Sequence, residues 1–184
     1  LDQYGLTNYL DLSNYKNFDQ RYQYYFVKNS FLSINGDSGS TWFPKLFRVP
    51  SLTINCIHPI LNYPIRKNEF CVMQKISKNN DILNIDDFLG EEGIHNPKNP
   101  TLYKYETHTQ NDFLSIFEKV IKRVLDKDYT HSSEEKMIRL KVKEKIDLFS
   151  NANKNSIHYN PYMLKWSDEN FNGDGIFLKD NLIN

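Results

Sequence analysis

The stretch KNFDQRYQYYFVKNSFLSING, residues 16–36, is the densest aromatic run of the chain and the segment from which we read its fold. Helical spacing relates Phe18, Tyr22, Tyr25 and Phe26, so we predict a helix over about residues 18–28. A strand is the competing interpretation, because Tyr22, Tyr24 and Phe26 also alternate and aromatic side chains favour strands. After the helix, Asn35 and Gly36 are typical of a turn.

Composition is that of a globular protein, with 184 residues, 39% of them hydrophobic, and 12 Phe and 12 Tyr to fill a core. Apolar runs stay well short of the ~20 residues of a membrane span, so we expect none. The 23 basic and 23 acidic residues balance. That balance argues against a nucleic-acid partner held by phosphate contacts, and it favours self-association because there is little repulsion between copies.

The middle of the chain is typical of short strands. Three apolar runs within residues 41–76, punctuated by prolines, have this pattern: TWFPKLFRV, SLTINCI and EFCVMQKI. Two further short candidates are NDILNIDDF at 80–88 and TLYKYET at 101–107. We therefore predict a mainly β protein with helices, of the α+β class.

The clearest helix is predicted at about 112–127, capped by Asn111 or Asp112. Its apolar residues recur at helical spacing and face charged residues on the other side of the helix. Together with the opening run, it supplies the expected core anchors: Phe18, Phe26, Phe31, Phe113, Phe117, Val120, Ile121 and Val124.

The segment MIRLKVKEKIDLF, residues 137–149, is ambiguous between helix and strand. Its lysines and glutamate favour a helix, but its apolar and charged residues mostly alternate. On a helical wheel the apolar residues would spread over more than half the circle, so we predict a long amphipathic strand. We expect residues 1–149 to form a single β-rich domain with an N-terminal arm, followed at 150–184 by a C-terminal extension or docking tail.

The residues predict no catalytic, cofactor-binding or metal site. The five histidines show neither ligand nor base spacing. The string GDSG at 36–39 copies a serine-protease motif, but no histidine precedes Ser38 as that mechanism requires. The loop with Asn170, Asn172 and Asp174 is a weak calcium candidate, because it lacks the acidic first ligand and the bidentate glutamate.

The two cysteines, Cys56 and Cys71, leave two alternatives open. They are either buried free thiols or a disulfide, within the chain or between subunits. Two cysteines with one histidine nearby are too few ligands for a zinc site.

The opening run resembles the polyhedrin and granulin family, the occlusion-body matrix proteins of baculoviruses, with nudivirus relatives. The family pattern K-x-F, seven residues, F-x-x-x-S-F, three residues, N falls without a gap on Lys16, Phe18, Phe26, Ser30, Phe31 and Asn35. Further similarities follow in the same order, at Cys56, at residues 81–85 and 111–113, at 119–121, at 134–135 and at 142–144. The similarity covers residues 16–149, while residues 150–184 have no counterpart.

This resemblance implies a jelly-roll-like β-sandwich that assembles as trimers into a crystalline lattice embedding virions. It implies no enzymatic activity, and it implies an occlusion body formed in the infected host cell, in the nucleus if baculovirus-like. The matrix would hold at neutral pH and dissolve at alkaline pH, with Tyr22, Tyr24 and Tyr25 as the residues to titrate at subunit contacts. The alternative is a non-enzymatic structural subunit of a large mitochondrial or viral assembly from an AT-rich genome.

Overall fold

The computed structural model describes residues 12, 19–57, 64, 68–90, 102–126, 132–152 and 176–178. Its helices are α1 (Gln20–Lys28), α2 (Trp42–Phe47), α3 (Ile85–Gly90), α4 (Gln110–Leu125) and α5 (Ser133–Ala152). Its strands are β1 (Ser33–Gly36), β2 (Ser51–Cys56), β3 (Glu69–Met73), β4 (Lys75–Lys78), β5 (Asp81–Ile82), β6 (Tyr103–Glu106) and β7 (Ile176–Leu178). Both element types are present, which confirms the α+β class, but 53% of the described residues are helical and 25% are in strands, so the expected predominance of strands was wrong.

A four-stranded sheet in the order β1-β2-β3-β7 lies at the centre, and each of its pairings is parallel. All five residues of β3 are buried. Parallel sheets need cover on both faces, and their central strands are accordingly apolar throughout. A smaller antiparallel sheet, in the order β5-β4-β6, continues from β3 after Gln74.

The core divides into two clusters that β3 joins. Successive side chains of a strand point to opposite faces. Phe70 and Val72 therefore share one face, where they pack with Ile116 and Val120 of α4. Cys71 and Met73 share the other face, with α3 and with Ile138 and Val142 of α5.

The parallel pairing corrects the expected jelly roll. A jelly roll is built from antiparallel strands, whereas the larger sheet of the described chain pairs β1, β2 and β3 in parallel register. Asn35 and Gly36 do not form a turn, because they are the last residues of β1. The strands expected at SLTINCI and TLYKYET are present as β2 and β6, and EFCVMQKI splits into β3 and β4.

Residues 133–152 form a helix, so the long strand predicted at 137–149 was wrong. Two local features favour the helix over the alternating pattern. Ser132 and Glu135 form reciprocal hydrogen bonds at the first turn, in which each side chain accepts from the other residue's backbone N–H. Ile138 and Val142, one turn apart, are both buried. Leu140 between them is exposed, and counting it as a buried residue spread the apolar side chains too widely around the helix.

Residues 42–47 are also helical rather than extended. Pro44 lies in the first turn of α2, where its missing N–H removes no helical hydrogen bond. Arg48 ends the helix at φ 59°, in the left-handed conformation that is common just beyond a helix. In the same way the strand expected at 80–88 is confined to β5, because the Asn84 side chain accepts from Asp86 and Asp87 N–H and starts α3.

Strand β7 comes from the expected C-terminal extension. It pairs with β3 as an edge strand of the central sheet and also contacts α5. The remaining residues of 153–184 lie outside the described part of the chain. None of the helices that the structure describes is long and apolar enough to cross a membrane.

Candidate functional site

Helix α1 carries the opening aromatic run, and Asp19 caps its N-terminus. The Asp19 carboxylate accepts from Arg21 N–H at 2.9 Å and from Arg21 Nε at 2.8 Å. The side-chain hydrogen bond from Arg21, aided by the backbone one, lowers the pKa of Asp19 below its ordinary value. The carboxylate therefore stays ionised at the positive end of the helix, where a negative charge is favourable.

A single aromatic contact region attaches α1 to α2. The ring of Tyr24 meets Phe43 edge-on, with centroids 5.0 Å apart, and meets Phe47 at 6.4 Å. Edge-to-face pairs of this kind are favourable because the positive ring edge meets the negative ring face. Tyr24 thus attaches one side of α1 to α2.

The outer side of α1 forms an exposed aromatic surface, which we define by Tyr22, Tyr25 and Phe26. Both tyrosines are more than half exposed, and Phe26 is 41% exposed. Together with Asp19 and Arg21 they line an open groove of about 580 Å³. Contiguous apolar surface of this kind in a globular protein typically marks a place where another molecule docks.

This arrangement corrects part of the expected core. Phe26 and Phe31, at 41% and 57% exposure, are not core anchors. The main contact of α1 is with α2. Phe18 lies outside the described residues. In α4, Val120 is fully buried and Phe113, Phe117 and Val124 pack against its cluster, but Ile121 is exposed.

A second concentration of polar groups lies at the carboxyl ends of the parallel strands, where α/β proteins commonly bind ligands. Asp37 Oδ2 accepts from Ile57 N–H at 2.6 Å. Asn55 has φ 53° beside a β-bulge, and its Oδ1 lies 2.8 Å from Nδ1 of the buried His108. Each of these contacts joins one strand end to another segment, so they stabilise this edge of the sheet.

Sequence reasoning did not find the pairing of Asn55 with His108. The two residues are 53 positions apart, and neither stands in a recognisable motif. Only the docking of the segment before α4 onto the end of β2 brings them together. No local spacing could have revealed it.

The start of α4 adds a half-buried ion pair close to this edge. Lys75 Nζ lies 3.3 Å from Asp112 Oδ2, and Asp112 also completes a capping box with Thr109. The backbone and side-chain hydrogen bonds from Thr109, with a smaller contribution from Lys75, lower the pKa of Asp112 to about 2. Thr109, not Asn111 or Asp112, is the N-cap.

The remaining candidates show no assembled site. Cys56 and Cys71 are fully buried thiols that are not bridged to each other, so the alternative of a disulfide within the chain is not formed. Among the described residues, no group of three or more His, Cys, Asp or Glu could hold a metal ion. The calcium candidates Asn170, Asn172 and Asp174 lie outside those residues.

Comparison with protein-family models, with curated proteins and with solved structures finds no match for this chain. The resemblance to the occlusion-body proteins therefore stays a prediction. The functional reasoning that follows depends on the surfaces described above.

Proposed function

We propose that this chain is a non-enzymatic structural protein whose copies assemble with one another. The observation that carries the proposal is the exposed aromatic surface of α1. Tyr22, Tyr25 and Phe26 combine large apolar area with hydroxyl groups that can hydrogen-bond, the combination that is enriched at protein interfaces. A balanced net charge supports the same function, since dense packing of copies then meets no overall repulsion at neutral pH.

The assembly is the matrix of a viral occlusion body, a crystalline lattice that protects embedded virions. Support for this specific form comes from the resemblance of the opening run, whose aromatic residues lie on and next to α1. The jelly-roll sandwich of that family is not part of the proposal, because the described central sheet is parallel. Trimers and their lattice contacts remain part of the proposal, and they rest on the resemblance alone.

Alkaline dissolution follows from composition. The 18 lysines and 12 tyrosines of the chain titrate near pH 10 when unperturbed. Once the lysines are neutral, five arginines face 23 carboxylates, a net charge of −18, and ionised tyrosines would take it to −30. Repulsion between copies then replaces attraction.

The test measures particle size and solubility together. Purified protein at pH 7 is sized by light scattering and then titrated with base while turbidity is followed. We expect particles far larger than the 21.8 kDa chain, dissolving sharply near about pH 10–11. A monomer at pH 7, or gradual dissolution at pH 7–8, would contradict the proposal.

A matched pair of variants assigns the assembly to α1. The double substitution Tyr25→Ser and Phe26→Ser removes two exposed rings and should lower assembly without changing helicity. Leu148→Ser on α5, which is just as exposed, should leave particle size unchanged. Equal loss in both would mean that exposed apolar area in general, and not this surface, drives association.

The other structural function, a subunit in an assembly of different proteins, predicts a different result. The exposed aromatic surface would then dock on a foreign partner, and the isolated chain would stay small at neutral pH. The sizing measurement at pH 7 therefore separates the two functions before any variant is made.

A further inference from the structure

Helix α4 has a second apolar face, distinct from the one that packs on the sheet. Leu114, Ile121 and Leu125 are 53%, 42% and 66% exposed, although Ile116 and Val120 of the same helix are fully buried. At about 100° per residue, the three exposed side chains fall within an arc of about 40°. They form a narrow stripe along the helix, which we call the α4 stripe.

The spacing of the stripe suits contact with another helix. Its members are seven and then four residues apart, the repeat with which one helix packs its side chains along a second. Glu118 and Lys122 are exposed one turn apart along the flank of the stripe. A partner helix that lies on the stripe therefore meets a negative charge just before the middle of the contact and a positive charge just after it.

We infer that the α4 stripe binds α4 of a second copy in antiparallel orientation, across a twofold axis near residue 120. This orientation places Glu118 opposite Lys122 of the partner subunit, and the reverse pair forms on the other side of the axis. In the same arrangement Leu114 of one copy lies beside Leu125 of the other copy, at each end of the contact. A parallel pairing would place the two flanks that carry Glu118 and Lys122 on opposite sides of the contact, where neither charge meets its counterpart. The antiparallel arrangement is therefore the one in which these charges pair.

This contact rests on the proposed function, because it names one of the contacts through which copies of the chain would associate. A twofold contact closes on itself and yields a dimer. Growth into a lattice needs at least one further contact elsewhere on the molecule. The exposed aromatic surface of α1, the helix that packs on α2, provides such a second surface.

Sedimentation velocity at pH 7 tests the α4 contact in the Tyr25→Ser, Phe26→Ser background, where growth through α1 is suppressed. We expect dimers. Leu125→Glu should raise the Kd of the dimer by at least about tenfold, because it puts a charge in place of a leucine that the contact buries. Leu140→Glu on α5, at a similar 61% exposure, is the matched control and should leave the Kd unchanged.

Charge reversal supplies the decisive measurement. Glu118→Lys places like charges across the axis and should weaken the dimer, while Glu118→Lys combined with Lys122→Glu should restore it. Circular dichroism of each variant at the same concentration separates loss of the contact from loss of the helix. Restoration by the double reversal, with helicity unchanged, is specific to a contact in which each helix meets its own copy.

Two results would overturn the inference. One is a background protein that stays monomeric up to about 100 µM, and the other is a dimer that neither Leu125→Glu nor Glu118→Lys weakens. In either case large particles from the unmodified chain at pH 7 would leave the proposed function standing. Dimers that depend on the α4 stripe, with no larger particles from the unmodified chain, would instead contradict the matrix function alone.

Discussion

The two faces of the central sheet are covered by α4 on one side and by α5 with α3 on the other, yet the sequence shows only α4 plainly. Helix α4 places Ile116 and Val120 on the sheet and keeps most of its apolar residues along that side. Helix α5 buries Ile138 and Val142 on the opposite face but exposes Leu140 and Leu148. The buried residues of α4 recur at helical spacing, which makes this helix recognisable from its sequence. In α5 the exposed Leu140 lies two positions from both Ile138 and Val142, which imitates the alternation of a strand.

The largest loss of stability is expected from substitutions in β3, the strand whose side chains pack on both faces of the central sheet. Phe70→Ala removes a fully buried ring from the α4 face and should lower the free energy of unfolding by about 3–5 kcal/mol. Met73→Ala, equally buried on the α5 face, should cost about 2–5 kcal/mol. Urea unfolding followed by circular dichroism measures both, and a loss near zero at either site would show that its face is not a packed core.

A sharper comparison concerns α5 itself. Ile138 and Leu140 would share one face in a strand, but the helix buries Ile138 and exposes Leu140. Ile138→Ala should therefore cost about 2–4 kcal/mol, whereas Leu140→Ala should change stability by less than about 0.5 kcal/mol. Equal losses in urea unfolding would favour the alternating strand over the helix.

The helix starts provide a third comparison, because both helices have a capping box. Thr109 and Asp112 form it in α4, and Ser132 and Glu135 form it in α5. Thr109→Ala and Ser132→Ala should each lower stability by about 1 kcal/mol. Thermal melts of the two variants should shift by similar amounts, and Ser133→Ala, one residue inside α5, is the control that should shift little.

The smallest expected effect is a pH dependence of stability at the start of α4. The folded-state pKa of Asp112 is about 2, below its ordinary value of 3.8. A depressed pKa contributes stability that is present above about pH 4 and is lost as the pH falls toward 2. Asp112→Asn should thus be less stable than the unmodified chain at pH 7, and the gap should narrow by pH 2 in paired urea titrations. A gap that stays constant with pH would contradict the charged interaction.

Part of the fold was predictable because local signals agreed with it. The helix at α4 and the strands β2 and β6 each follow from spacing within their own residues. For the candidate surface, the sequence predicted where in the chain the aromatic residues lie but not that they are exposed. The sequence identified the aromatic run, but whether Phe26 and Phe31 face a core or solvent depends on what α1 packs against, and that neighbour is α2, itself mistaken for a strand.

The sequence alone determined the mixed α and β composition, the strong amphipathic helix, the balanced charge and the aromatic concentration at residues 16–36. These are local or additive properties, which a chain carries whatever its neighbours are. Tertiary structure alone decided the parallel pairing of β1, β2 and β3, the contact of Asn55 with His108, and the exposure of Ile121. Each of those depends on which distant segments of the chain come to lie against one another. The exposure of Tyr22, Tyr25 and Phe26 on α1 has the same cause.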